Sequence, residues 1–265
     1  MKTPNITIEQ LLEAGVHLGH KTLRWNPKMK KYIFGKRDSI HIIDLTQTLE
    51  LFNVALKKIY ETVSNNGKIL FISTKKQASD SVAELAKSTN QYYVNYRWLG
   101  GMLTNWSTIS NSLNSLNKLN TKISDEKISL KKKEILKMNR QIEKIEKYLG
   151  GLKDMGSVPQ AIFVIDVNKD AIAVKEANKL KIPVIAILDS NSSPEGIDYP
   201  IPGNDDSRKS IELICSLISN LITKNLKKVK VENFKEKSSK KDIKAEIPTK
   251  KDVKSKLNKT KKKNK

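Results

Sequence analysis

A single cysteine, Cys215, stands among 265 residues, so no internal disulfide framework can staple this chain. It lies in the apolar run Ile211-Glu212-Leu213-Ile214-Cys215-Ser216-Leu217-Ile218, where a small buried hydrophobe is expected rather than a nucleophile. Hydrophobic residues make up 38% and aromatic residues 6%. That is thin for a compact globule, yet the length suffices for one large domain or two small ones. No stretch approaches the roughly 18 apolar residues of a membrane span. The start, Met1-Lys2-Thr3-Pro4-Asn5, has no apolar signal segment, and an acid arrives by Glu9, unlike a transit peptide. A soluble protein of a reducing compartment is expected. Phosphate-loop signatures are missing too, both Gly-x-x-x-x-Gly-Lys-Ser/Thr and Gly-x-Gly-x-x-Gly. Asn168-Lys169-Asp170 approaches the guanine-reading Asn-Lys-x-Asp, but Ala171 occupies the position where the aspartate is required. No Ser-His-Asp or Cys-His pattern is indicated. A nucleotide-binding enzyme of flavodoxin-like architecture is thus the weaker reading.

What the chain does have is positive charge. The formal net charge is +22, which points to a polyanionic partner. From Lys224 to Lys265 there are 18 lysines and 5 acids. That tail therefore holds +13 and leaves +9 for the preceding 223 residues. Beyond about Lys227 apolar periodicity is nearly lost, and residues 227–265 cannot bury enough surface to offset ordering entropy. A disordered basic tail is expected there.

The densest chemistry lies in Gly15-Val16-His17-Leu18-Gly19-His20-Lys21-Thr22-Leu23-Arg24-Trp25-Asn26-Pro27-Lys28-Met29-Lys30-Lys31. Lys21, Arg24, Lys28, Lys30 and Lys31 can neutralise a nucleic-acid backbone, and Trp25 offers a flat face to an unpaired base. Arg24 is planar and bidentate, suited to phosphate or a base edge. Pro27 disfavours helix at Asn26 and predicts an extended arm, too polar to be core. The competing reading is a solvated loop with Trp25 folded back onto the core.

Around this arm the pattern is α/β. Thr7 caps a short helix ending at Gly15. Tyr32–Phe34 and Ser39–Ile43 flank Gly35-Lys36-Arg37-Asp38 as a hairpin with a charged tip. Leu45, Leu49, Phe52, Leu56, Ile59 and Val63 line one helical face. Short apolar runs at 68–73, 92–96, 161–166 and 183–189 then alternate with helical stretches, and Tyr199-Pro200-Ile201-Pro202 is too proline-rich for a central strand. Such alternation predicts a flavodoxin-like parallel sheet flanked by helices. Two narrow seams interrupt it: Ile109, Leu113, Leu116, Leu119 and Ile123, then Ile135, Met138, Ile142, Ile145 and Leu149. They read as an inserted antiparallel coiled-coil hairpin turning at 124–133, or else as two helices lying flat on the sheet. The domains expected are a sheet domain of 1–105 and 151–226, a hairpin of 106–150 and the tail.

Two more clusters carry chemistry. Lys75, in Thr74-Lys75-Lys76 after the first buried strand, can reach a phosphate, and Arg97 can reach RNA or an interdomain carboxylate. In a parallel sheet Asp189 and Asp205-Asp206 fall at one carboxyl edge, where ligands collect. With a histidine they offer ligands for Zn²⁺, unless those carboxylates merely cap loops.

Ala14 to His20, Arg24 to Met29, Arg97 to Trp106 and Ile201 to Asp206 resemble, in order, the motifs of the bacterial small-subunit ribosomal protein S2 family. The resemblance covers about Ile6 to Leu226; the lysine-rich tail departs from it. It implies a non-enzymatic, structural constituent of the small ribosomal subunit, in the bacterial cytoplasm or an organelle matrix. Implied partners are small-subunit rRNA near the head–body junction and neighbouring ribosomal proteins, including S1, which captures mRNA. No membrane or small-molecule substrate is implied. No cofactor is required, but His20, Asp189, Asp205 and Asp206 match a zinc-holding set of some family members.

Overall fold

The computed structural model describes residues 6–124 and 132–245, with side chains described as far as residue 226. The chain divides into two compact units, Met1–Thr223 and Lys224–Lys265. Everything that positions the candidate site belongs to the first.

Helix α1 (Ile8–Glu13) opens on a capping box. Thr7 accepts the Gln10 N–H while the Gln10 side chain accepts the Thr7 N–H, so two otherwise unpaired donors are satisfied. Gly15, at φ +74°, ends it in a conformation that favours glycine. Strand β1 (Leu18–Lys21), absent from the sequence-based expectation, then pairs antiparallel with β3 (Ile40–Ile43), which also pairs with β2 (Ile33–Arg37). The segment between β1 and β2 is not extended. Two 3₁₀ helices, Thr22–Arg24 and Pro27–Tyr32, fold it up. Pro27 sits at the first helical position, where its fixed φ is suited and its missing N–H costs nothing. Asn26 caps that turn by accepting the Lys28 N–H at 3.0 Å. The turn buries Met29 and Tyr32, so a stretch that looked too polar for core is anchored in it.

Helix α2 (Leu45–Ser64) is capped by Asp44, whose carboxylate accepts the Thr46 N–H at 2.9 Å. It buries Phe52, Leu56, Ile59 and Val63, the stripe that its periodicity predicts. The chain then reverses through Asn66, at φ +56°. β4 (Ile69–Ile72), α3 (Lys76–Ser88), β5 (Tyr92–Val94), α4 (Trp106–Ser124), α5 (Lys132–Leu149), β6 (Ala161–Val164), α6 (Ala171–Lys179), β7 (Val184–Leu188), β8 (Tyr199–Pro202) and α7 (Arg208–Ala245) follow. Helix α7 thus runs on to Ala245, into the stretch 227–265 expected to be disordered, and residues 246–265 lie outside the described residues.

The second sheet is parallel throughout, in the order β5-β4-β6-β7-β8. Numbered by appearance, its strands run 2-1-3-4-5, the flavodoxin-like order. Every residue of β4, β6 and β7 is buried, as a sheet covered on both faces requires. Leu70, Ile72, Ile162, Val164, Val184 and Ala186 share one apolar core with Trp98, Met102, Ala173 and Ala177. Phe71 and Phe163 meet on the other face at 5.6 Å. The proline-bearing β8 is one of the two edge strands. Helices α4 and α5 contact each other. Ile109, Leu113 and Leu149 join the sheet core at their base, while Leu119, Ile123, Ile135, Met138 and Ile142 are half-buried along the seam. The expected turn falls mostly on 125–131, outside the described residues.

Candidate functional site

The carboxyl ends of β4, β6, β7 and β8 supply Lys75, Asp166, Asp189 and Asp205–Asp206, and β1 brings His20 against them. Lys75 Nζ lies 2.7 Å from Asp205, 2.6 Å from Asp206 and 3.4 Å from Asp166. Its side chain is only 12% exposed. Burial disfavours the ammonium, but the charge and hydrogen bond of Asp205, with Asp206 and Asp166, hold its pKa above the ordinary lysine value. Sequence reasoning placed Lys75 toward RNA phosphate. The structure instead neutralises it within the fold, and Lys76 is the exposed neighbour.

His20 continues the network. Its Nδ1 lies 3.0 Å from Asp189 Oδ2 and its Nε2 3.2 Å from Asp206 Oδ2. The Asp189 hydrogen bond raises its pKa; burial opposes this, and the charges of Asp189, Asp206 and Asp205 reinforce it. Asp206 thus bridges His20 and Lys75 through its two oxygens. Asp205 is buried, and burial followed by the charge of Asp189 pushes its pKa up to about 7, against the pull of Lys75. Of the four metal candidates, His20, Asp189 and Asp206 bring ligand atoms within 4.8 Å of one another. Asp205 does not join that group; it turns to Lys75.

Ser190, which sequence reasoning missed, fastens the arm to this edge. Its hydroxyl accepts the His20 N–H at 2.8 Å, and its carbonyl accepts the Asn26 N–H at 2.8 Å. Gly19 makes the approach feasible, for a Cβ there would lie 2.8 Å from Ser190 Oγ. Asn204 fixes the opposite side. Its side chain accepts from the Asp206 and Ser207 N–H groups and donates to the Gly15 carbonyl.

The remaining arm residues face outward. Lys21, Arg24, Lys28, Lys30, Lys31 and Arg37 are exposed. Lys28 meets the exposed Glu195, Lys31 lies 4.6 Å over the Tyr32 ring, and Arg37 is 3.7 Å from Asp38. Trp25 is half-buried and tilts against His41 at 5.1 Å, between the two alternatives posed for it.

The Arg97–Trp106 motif has a separate role. Buried Glu176 of α6 accepts from Trp98 Nε1, the Gly101, Leu103 and Thr104 N–H groups and the Thr104 hydroxyl. Burial raises its pKa, but these donors outweigh that and hold it below the usual glutamate value. Glu176 carries no sequence signal beyond a charge on an apolar helix. Arg97 is exposed and outside this cage.

The sequence model described as Ribosomal protein S2 matches residues 11–225. Small ribosomal subunit protein uS2 of Chelativorans sp. (strain BNC1) is 58% identical over 219 residues, covering 83% of this chain and 82% of that protein. Its counterpart in Mesorhizobium japonicum is 57% identical, covering 83% and 84%; that of Brucella suis is 55% identical, covering 83% and 86%. By these matches, the chain belongs to the ribosomal protein S2 family.

Proposed function

We propose that the chain is a structural constituent of the small ribosomal subunit, not an enzyme, and that its arm binds small-subunit rRNA. One observation carries this reading. Asp189 and Asp205 are buried within the fold, whereas Lys21, Arg24, Lys28, Lys30, Lys31 and Arg37 are displayed along one segment, 21–37. Residues 21–37 hold no acid, and the acids that meet this surface, Glu195 at Lys28 and Asp38 at Arg37, form exposed, weak pairs, so the surface offered is cationic and suits a phosphate backbone. Trp25 and Asn26 shape the same surface. The seams of α4 and α5 support a projecting antiparallel coiled coil whose polar flanks reach a second RNA region or a neighbouring ribosomal protein. Placement near the head–body junction, support of S1 docking and residence in cytoplasmic ribosomes complete the proposal. Among the described residues no helix is long and apolar enough to cross a membrane. Sedimentation of the tagged full chain tests it: co-migration with small subunits is expected, and a chain found only in the free fraction refutes it.

A zinc ion would be held by His20, Asp189 and Asp206, one nitrogen and two oxygen ligands already gathered by the fold. The donor set fits. Bound there, zinc would supply a structural cross-link between β1 and the sheet edge. Metal analysis of the purified chain, with and without His20→Ala, tests this: stoichiometric zinc in the wild type alone supports it, and zinc in neither refutes it.

A further inference from the structure

Outside the carboxyl ends of β4, β5 and β6 lies a cleft of about 620 Å³ lined by Thr74, Lys76, Tyr96, Arg97, Lys169 and Asp170, among others. Its place follows from topology. The connection leaving β4 runs to one side of the sheet, to β5, while β6 and its successors build the other side. Such a switch point leaves a crevice between the diverging loops.

Asp170 decides what the crevice wants. It is 1% exposed, and its Oδ2 accepts the Thr74 N–H at 3.0 Å. Its Oδ1 is buried with no hydrogen-bond partner among the described residues. An unpaired buried carboxylate oxygen is costly, and burial accordingly pushes the Asp170 pKa up. A ligand N–H would repair the deficit. Around it stand the exposed cations Lys76 and Arg97, while Lys169 Nζ donates to the Thr74 carbonyl at 2.7 Å. Tyr96 is 45% exposed, packs edge-on against Tyr148 at 5.2 Å and carries Lys147 Nζ 4.3 Å over its ring, so a base stacking there takes the place of that ammonium. Asp80 also lines the cleft and opposes a multiply charged ligand. Hydrogen-bond acceptor, aromatic face and cations together match one nucleotide, and the volume lies in the usual range for a small-ligand site.

We propose that this cleft takes a single unpaired nucleotide of RNA, its base N–H donating to Asp170 Oδ1, its ring against Tyr96 and its phosphate at Arg97 and Lys76. The choice of RNA over free nucleotide rests on the ribosomal reading above. The site explains why the fold keeps Asp170 Oδ1 unpaired and gives Arg97 a function that its motif left open.

Asp170→Asn is the discriminating variant. The Thr74 N–H holds the amide oxygen, so the amide NH₂ turns into the cleft and an acceptor becomes a donor. The full chain is titrated with a labelled single-stranded RNA octamer of mixed sequence, with excess duplex RNA occupying the basic tail. Asp170→Asn and Arg97→Ala are each expected to weaken octamer binding about tenfold, with duplex binding unchanged. Equal octamer affinity for wild type and Asp170→Asn would overturn the proposal, as would guanosine monophosphate binding as tightly as the octamer. Photo-crosslinking of wild type to thiouridine-labelled octamer gives a readout independent of the variants' folding. Adducts at residues 92–105 are expected, and adducts confined to 21–37 would refute the cleft. Failure of wild type to sediment with small subunits would sink the ribosomal reading instead, leaving the octamer result to stand or fall alone.

Discussion

The indole N–H of Trp98 donates to Oε1 of Glu176 across 3.1 Å, tying the segment that launches α4 to the middle of α6. Four further donors, from Gly101, Leu103 and Thr104, converge on the same carboxylate. Glu176→Gln presents an NH₂ group to donors and leaves at least two of them unsatisfied in a buried place. The expected loss is about 3 kcal/mol in urea unfolding. The pH dependence has a definite sign. Since the folded pKa lies below the unfolded value, this stabilisation is present above the unfolded pKa. It is lost as pH falls from there through the folded pKa. Unfolding curves over that acid range should therefore be flatter for Glu176→Gln than for wild type; parallel curves would show that the cage contributes no charge-dependent stability.

Lys75 offers a different kind of test, because three carboxylates depend on one ammonium. Lys75→Met removes the charge but keeps much of the stem, leaving Asp166, Asp205 and Asp206 to repel one another. Breaking a buried ionic cluster in this way costs about 3–5 kcal/mol. Adding Asp205→Asn should recover part of that loss, since the most buried carboxylate is then neutral. A double-mutant cycle in denaturant reads the coupling directly. Strict additivity would mean that Lys75 and Asp205 do not stabilise each other.

Much of this was legible in the sequence, and the misses have physical causes. The strand–helix alternation from Ile69 to Pro202 gave the parallel sheet because strands buried on both faces read as unbroken apolar runs. Tyr199–Pro202, read as too proline-rich for a central strand, lies at an edge. Asp189 and Asp205–Asp206 were placed together because parallel strands deliver their loops to one edge, whereas His20 joined them only through the family resemblance. β1 was missed because Leu18-Gly19-His20-Lys21 has neither alternation nor β-branched residues; it is a strand through its pairing with β3 and its contact with Ser190. Lys75 was misassigned because sequence shows a lysine's charge but not the three carboxylates that fold around it. Asp205 was grouped with the ligands because adjacency in sequence does not reveal that neighbouring side chains diverge, one to His20 and Lys75, the other to Lys75 alone.

Gly19 is where β1 lies against Ser190. A Cβ at Gly19 would fall 2.8 Å from Ser190 Oγ, 3.0 Å from its Cβ and 3.1 Å from the His41 carbonyl. Gly19→Ala must therefore push β1 away from the sheet edge and lengthen the His20–Ser190 hydrogen bond. A loss of about 1–3 kcal/mol is expected. Ser190→Gly in the same chain removes two of the three clashes, so the double variant should lose less than the sum of the single variants. A thermal melt in which Gly19→Ala is neutral would show that the contact is loose.

The exposed arm makes the last prediction, and it separates charge from fold. Arg24 and Lys28 are both exposed, and the acid set against Lys28 among the described residues, Glu195, is 70% exposed. Such a pair contributes little to stability. Arg24→Ala with Lys28→Ala should therefore leave the melting temperature nearly unchanged while weakening attachment to rRNA. If both residues touch phosphate, the slope of log affinity against log salt should become shallower by about 0.7–0.9 for each contact removed. Occupancy of purified small subunits should fall in parallel. A variant with wild-type salt slope and full occupancy would take the arm out of the RNA interface and leave the α4–α5 helices as the surface to examine, because the buried side of the arm, Met29 and Tyr32, cannot reach RNA without unfolding the turn that holds them.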